Sequence, residues 1–539
     1  MMSTSCKMWS ILSLGILVLL AGCGGSSSDA PPPPGTTTIS GSVYASSVSG
    51  ASVVVKNASG AAIAGPVTTA VNGTFAINVP TSEMGTDLRI ESSGGTFTDE
   101  ATGTSGVAAG AMSAYVSGGS ATVVHLDPAS TVIHTLVSTH SKTFGEARTL
   151  FTNSFGFAPD FTVKPANEPY SASSTTAQRL AALRAAAFSQ LTQDLGLAPD
   201  KQFDLLAAMS QDLADGVLDG MNGATVVSLG TGTMPIDVQN RFENALVSFV
   251  TDTSRNHTGL IPGNLGDLSY GKVALTNTYK VEYVPGMMAA AMGKTMFQIR
   301  ISDKNTGSPV PGLVGSSALT LTTKMHMATG ANHGTPVDVI TEGTAGTYNC
   351  TIFYLMASGS NMGFWELDVT IGTGTTETAT FYPKVGMAMS SQTDVQRLYG
   401  PSDIFSSMTG TQYTRYVLFR DGSVNASTGT LNLLIAHAEN MMMYFNPVSV
   451  GTVLSYPTGT ALVSSMVVSA ATDTAFTSPA SVVTDNGNGH WTLSGLSGLV
   501  SGQTTTIYVK LNVNGEDKTT NGALASGVNA YQPYVVTPQ

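Results

Sequence analysis

The sequence predicts a mainly β, multidomain chain with a helical stretch set into its middle. Three observations lead there. Gly, Ser, Thr, Ala and Val abound in a 539-residue chain of which only 11% is charged, a composition typical of secreted strand-rich modules rather than of disordered polymers. Short runs of alternating apolar and polar residues, punctuated by glycine, occupy the chain before residue 125 and after residue 277. Between them, apolar residues recur at helical spacing behind helix-start signals. A chain this long holds roughly three to five domains.

The first segment is MMSTSCKMWSILSLGILVLLAGCGGSSSDAPPPPG. Its apolar run, Ile11 to Leu20, is shorter than the about 20 residues that span a bilayer and reads as a signal peptide, residues 1–22. Leu20-Ala21-Gly22-Cys23 resembles the lipobox of bacterial lipoproteins. That resemblance implies that Cys23 is lipidated and begins the mature chain, which meets the membrane through that lipid. Gly24 in place of Asp implies export to the outer membrane. Residues 23–37 then form a flexible and proline-stiffened tether. No later segment has the unbroken apolar length of a spanning helix.

The net charge of −12 argues against nucleic acid and anionic lipid as partners. With Cys6 removed and Cys23 acylated, Cys350 is the one free thiol, so no intrachain disulfide is expected. No C-x-x-C-H is present for an attached haem.

Residues 38–125 carry ISGSV, GASVVVKN and NGTFAINVP, alternating strands with Asn72-Gly73 as a turn signal. The set resembles the carboxypeptidase-regulatory, transthyretin-like β-sandwich, a family of structural spacers. Residues 126–265 are read as a helical domain. Thr175 to Gln178 form a capping box ahead of Leu183, Phe188 and Leu191, and Pro199 opens a second helix. Asp212, Asp215 and Asp219 lack EF-hand spacing and read as a helix end closed by Gly216 or Gly220. His125, His134 and His140 read as surface or capping groups.

Strands return at 277–390 and 400–539, where two units repeat the same order of strand, turn, Met/His strand end, aromatic strand and closing strand. Two tandem immunoglobulin-like sandwiches would give this order. The first unit carries FQIRISDKNTGSPVPG, KMHM, NHGTPV, GTYNC and MGFWELDV, and resembles the FixH/YtkA-type domain of exported bacterial proteins. Members of that group are linked to copper, and the resemblance carries over Met325, Met327, His333 and Met362 as metal-site residues.

Thioethers are soft donors suited to Cu(I), with imidazole as a compatible partner. In an extended LTLTTKMHM, however, Met325 and Met327 share the face of Leu319 and Leu321, while His326 lies on the other. Met325 and His326 therefore cannot hold one ion within the strand, and the Met stripe is equally suited to filling a core. Met327, His333 and Met362 form a site only if the loops fold back to one pole. The second unit repeats the theme more weakly with His437, Met441 and Met443. Cys350 alternates with Tyr348 and Ile352 as a buried thiol. Glu366 and Asp368 read as the solvent side of a sheet, and His490-Trp491 as a turn and a core anchor.

These features predict a non-enzymatic structural or binding module of the cell envelope, contacting a protein, glycan or mineral surface. The alternative is a copper-binding or copper-handling surface lipoprotein. A second alternative is an enzyme of unrecognised class, since no G-x-S-x-G, H-E-x-x-H, Walker loop or dinucleotide fingerprint occurs.

Overall fold

The computed structural model of the chain describes residues 35–167, 173–388, 391–407, 410–439, 444–456 and 459–539. Cys23, the leader, most of the tether, Met441 and Met443 lie outside these residues. The described chain is mainly β, built of small and mostly antiparallel sheets. No described helix is long and apolar enough to cross a membrane.

In the first module a three-stranded sheet (Thr74–Pro80, Thr36–Val43, Val123–Leu126) accompanies a four-stranded sheet (Ala62–Thr68, Ser52–Asn57, Leu88–Ser93, Met112–Val116). Alternation in TFAINVP buries Phe75, Ile77 and Val79, which meet Val53, Val55 and Ile90 of the other sheet in one core. The only parallel pairing here joins Thr36–Val43 to Val123–Leu126, and that last strand leads directly into the first helix.

The helical layer comprises Pro128–Ser138, Phe144–Phe155, Thr176–Asp194, Gln202–Asp212 and Val238–Thr251. Capping boxes open three of them, Asp127/Ser130, Thr143/Glu146 and the expected Thr175/Gln178, each satisfying backbone N–H groups that a helix start leaves orphaned. Pro199 begins a short 3-10 turn that runs into Gln202–Asp212, and left-handed Gly216 closes the element. The acids at this end are occupied with backbone. Asp212 accepts from the N–H groups of Asp219 and Gly220, Asp219 from Met221, and Asp215 from Val217 and Gly223. His125 and His134 are buried rather than exposed, because they sit where the first module meets the helices. Burial lowers both to about 4.

The second module pairs a five-stranded sheet (Val273–Leu275, Tyr279–Pro285, Gly293–Asp303, Thr347–Tyr354, Thr341–Glu342) with a four-stranded one (Asn332–His333, Leu319–Met327, Gly363–Ile371, Glu377–Phe381). Phe297, Ile299, Tyr348, Cys350, Trp365 and Val369 fill the core between them. Cys350 is buried, and burial pushes its thiol up to about 12, so it is the inert group expected.

The third module has a six-stranded sheet whose main path is Val395–Ser407, Gly410–Arg420, Leu431–Glu439, His490–Ser494 and Val482–Gly487. Across its core, with Trp491 buried as an anchor, stand Met466–Ala471, Thr505–Val513 and Gln532–Val536.

The modules share cores. Phe364 and Tyr382 of the second module belong to the same apolar cluster as Phe188, Phe242 and Leu246 of the helices. Phe353 and Leu355 of the second module pack with Val417, Phe419, Leu434 and Phe445 of the third. Polar groups cross the joints as well. The Asn240 Nδ2 donates to the Thr380 carbonyl at 2.8 Å, the Tyr382 hydroxyl to Asn244 Oδ1 at 2.9 Å, and Ser189 Oγ to Asp99 at 2.6 Å.

His490 is a clamp at the last joint, not a turn residue. It starts a strand, with Nδ1 3.0 Å from Asp421 of its own module and Nε2 3.1 Å from Asp338 of the second. Lys294 also reaches Asp421, at 2.6 Å. Hydrogen bonds to Asp338 and Asp421 raise the ring to about 9 against the opposing effect of burial. Burial alone would raise both aspartates, but their bonds to His490 hold them below the usual range. Because the folded His490 value lies above the unfolded one, this stabilisation is complete below about pH 6.5 and is lost as pH rises through about 9. The ring is 22% exposed, so its share is on the order of 2 kcal/mol. Denaturant titrations at pH 6 and pH 10 are expected to show this loss in the wild type, and His490→Gln to flatten that part of the profile.

Candidate functional site

The expected soft donors collect at one pole of the second module. Strand alternation buries Leu319, Leu321 and Met325 on the inner face. Met325 stands opposite His333 on one neighbour and Trp365 on the other. Directly opposed residues share a face with Cβ atoms about 5 Å apart, so Met325 and His333 are side-chain neighbours.

Met327 lies opposite Gly363, and the Ala328 N–H donates to the Met362 carbonyl at 3.1 Å. Gly363 makes that approach feasible. Its φ is +113°, and a Cβ would stand 1.8 Å from the His326 carbonyl oxygen, which no other residue type tolerates. The loop therefore folds back onto the strand end and brings Met362 to the same pole as Met327. Both are half-buried against the core that contains Met325.

His326 is on the opposite face, as alternation requires. Its Nε2 lies 2.9 Å from Glu366 Oε2 and its ring stacks on Phe364 with centroids 4.7 Å apart. That face is covered by the helical layer, so Glu366 is not the solvent-side acid expected of a bare sheet. Its carboxylate is only 16% exposed.

His333 has the most informative geometry. Its Nδ1 is 2.8 Å from the Gly334 carbonyl oxygen. A carbonyl only accepts, so the network assigns the proton to Nδ1. Nε2 lies 3.2 Å from the Met356 sulfur. Burial lowers the His333 pKa and the Arg397 and Arg415 charges add to this, against the Gly334 bond, which favours the neutral ring. The Nε2 lone pair then faces a thioether that has no proton to give. Met356 is held there by its carbonyl, which accepts from Trp365 Nε1 at 3.0 Å, and the Trp365 ring meets His333 edge-on at 5.3 Å.

A buried imidazole acceptor aimed at a half-buried thioether acceptor is a geometry that a soft cation satisfies, with a backbone carbonyl fixing the tautomer of the ligating imidazole. The two arginines oppose any added positive charge, and a divalent ion more than a monovalent one. Met356 was absent from the sequence-based set. Its signal was that Met356 and Met362 flank a single loop leaving the strand Thr347–Tyr354 and entering Gly363–Ile371.

Of the weaker set only His437 lies among the described residues. His437 is buried beside Tyr416, with ring centroids 5.2 Å apart, and Met441 and Met443 lie outside them. Among the described residues no three His, Cys, Asp or Glu side chains converge in a metal-binding group. No family model matches the chain, and no curated protein matches it.

Proposed function

We infer that the chain is a lipid-anchored, non-enzymatic structural or binding protein of the bacterial outer membrane. One observation carries the architectural part of this reading: apolar cores run across the joints from the helices to the second module and on to the third. Flexible arrays of independent domains have joints that are smaller and more polar. A chain built this way projects its surfaces at fixed separations, as contact with a protein, glycan or mineral surface calls for. The finer folds are part of the same reading, a transthyretin-like first module and immunoglobulin-like second and third modules. Membrane attachment rests on Cys23 in its lipobox setting. Wild-type protein is expected in the outer-membrane fraction and Cys23→Ala in the soluble or uncleaved pool; equal recovery of both in the outer-membrane fraction overturns the anchor.

A second reading is favoured by the His333 Nε2 and Met356 sulfur at 3.2 Å. In it the second module binds copper as Cu(I), with His333 and Met356 as the central pair and Met325, Met327 and Met362 supplying further thioethers at the same pole. Cu(I) is monovalent and soft, and neither donor class needs strong deprotonation to bind it.

A further inference from the structure

The joint between the second and third modules contains a cleft of about 790 Å³. Met287, Met288, Met292, Met296 and Met387 line it. Four of these, all but Met292, are exposed, and they are the only methionines exposed among the described residues. Scattered surface methionines need no explanation, but the gathering of every exposed one into a single concavity does.

Backbone bonds hold this wall in place. The Met292 N–H donates to the Gly386 carbonyl and the Gly386 N–H to the Ala290 carbonyl, each at 2.9 Å. The loop after Tyr279–Pro285 is thereby zipped to the segment that enters the third module. Gly286 permits the close packing beneath, since a Cβ there would stand 2.2 Å from the Met296 carbonyl oxygen.

The side-chain charges at the rim are already paired. Lys294 pairs with Asp421 at 2.6 Å, and Arg420 pairs with Asp394 while also donating to Gln392 and the Gly422 carbonyl. A charged ligand group would have to break one of these pairs. The volume is that of a small-molecule site rather than an ion site, and it lies between domains, where such sites concentrate. Methionine, unbranched and polarizable, makes a wall that adapts to ligands of variable shape.

We propose that this methionine-lined cleft binds a flexible, uncharged apolar molecule, of the size and chemistry of a single neutral acyl chain. The site is separate from the His333 pole and does not depend on copper binding there. The test is fluorescence titration of the anchor-free protein with N-phenyl-1-naphthylamine, an uncharged apolar probe, followed by competition with a neutral monoacylglycerol. Saturable binding is expected, displaced by the monoacylglycerol and weakened at least about tenfold in M287Q/M288Q/M296Q/M387Q. All four positions are exposed, so the fold is expected to survive. M287Q/M288Q alone, confined to the loop, provides a milder variant with an intermediate loss if the fourfold variant does not fold. Unsaturable binding, or equal binding by wild type and variant, overturns the proposal. So does stoichiometric uptake of Ag(I) that these variants abolish while probe binding stays unchanged, which would make the cleft a soft-metal site.

Discussion

Phe364→Ala is expected to destabilise the protein by about 3–5 kcal/mol, the cost of emptying a large aromatic site in a core, and to make the second module unfold separately from the helices. Phe364 is 2% exposed, although it points out of its own module. It stacks on His326 and meets Tyr382 edge-on at 5.6 Å, and both rings lie where the helical layer covers the sheet. Removing it takes apolar contact from two bodies at once. The neighbouring His326 and Glu366 would also gain access to water, weakening a bond whose strength depends on burial. Val467→Ala is the control. Its side chain is 57% exposed, and a change there is expected to stay within about 0.5 kcal/mol. Guanidinium unfolding followed by far-UV circular dichroism distinguishes the two.

Met356→Leu is expected to weaken Cu(I) binding by the anchor-free protein at least about tenfold, with little change in melting temperature. Leucine keeps the volume of methionine and removes the sulfur, an exchange that cores tolerate. The variant therefore separates a ligand from a filler, which truncation to alanine does not. His333→Gln is expected to act in the same direction, since it deletes the Nε2 that faces the sulfur at 3.2 Å. Competition against a Cu(I) chelator under reducing conditions measures both. Binding equal to wild type in Met356→Leu would reduce the His333 and Met356 contact to packing, and the copper reading would fall with it.

Much of the local structure was legible because it follows from short-range periodicity. LTLTTKMHM separates Met325 from His326 by alternation alone, and the structure keeps them on opposite faces. Thr175 and Gln178 form a capping box because the motif is contained in one helical turn. Cys350 is buried as its neighbours Tyr348 and Ile352 require. What lay hidden depends on contacts between distant parts of the chain. The His490 clamp joins residues separated by 69 and 152 positions, and no local pattern marks such a pairing. The cover over Glu366 was missed because an acid beside an aromatic resembles a half-exposed sheet. In retrospect, adjacent Phe364 and Trp365 signalled a strand buried on both faces. Met356 escaped for a similar reason, since it becomes a neighbour of His333 only when the loop to Met362 folds back.

The helices and the two modules after them are expected to behave as one body. The protein supplies its own reporters, because Trp365 lies in the second module and Trp491 in the third, both buried, while Trp9 belongs to the leader. Single-tryptophan forms of the anchor-free protein, Trp365→Phe and Trp491→Phe, follow each module separately by fluorescence during equilibrium denaturation, beside far-UV circular dichroism for the whole chain. Coincident midpoints are expected for each reporter and for circular dichroism within the same variant. Well-separated midpoints in these variants would contradict this, and would make the chain a string of independent modules.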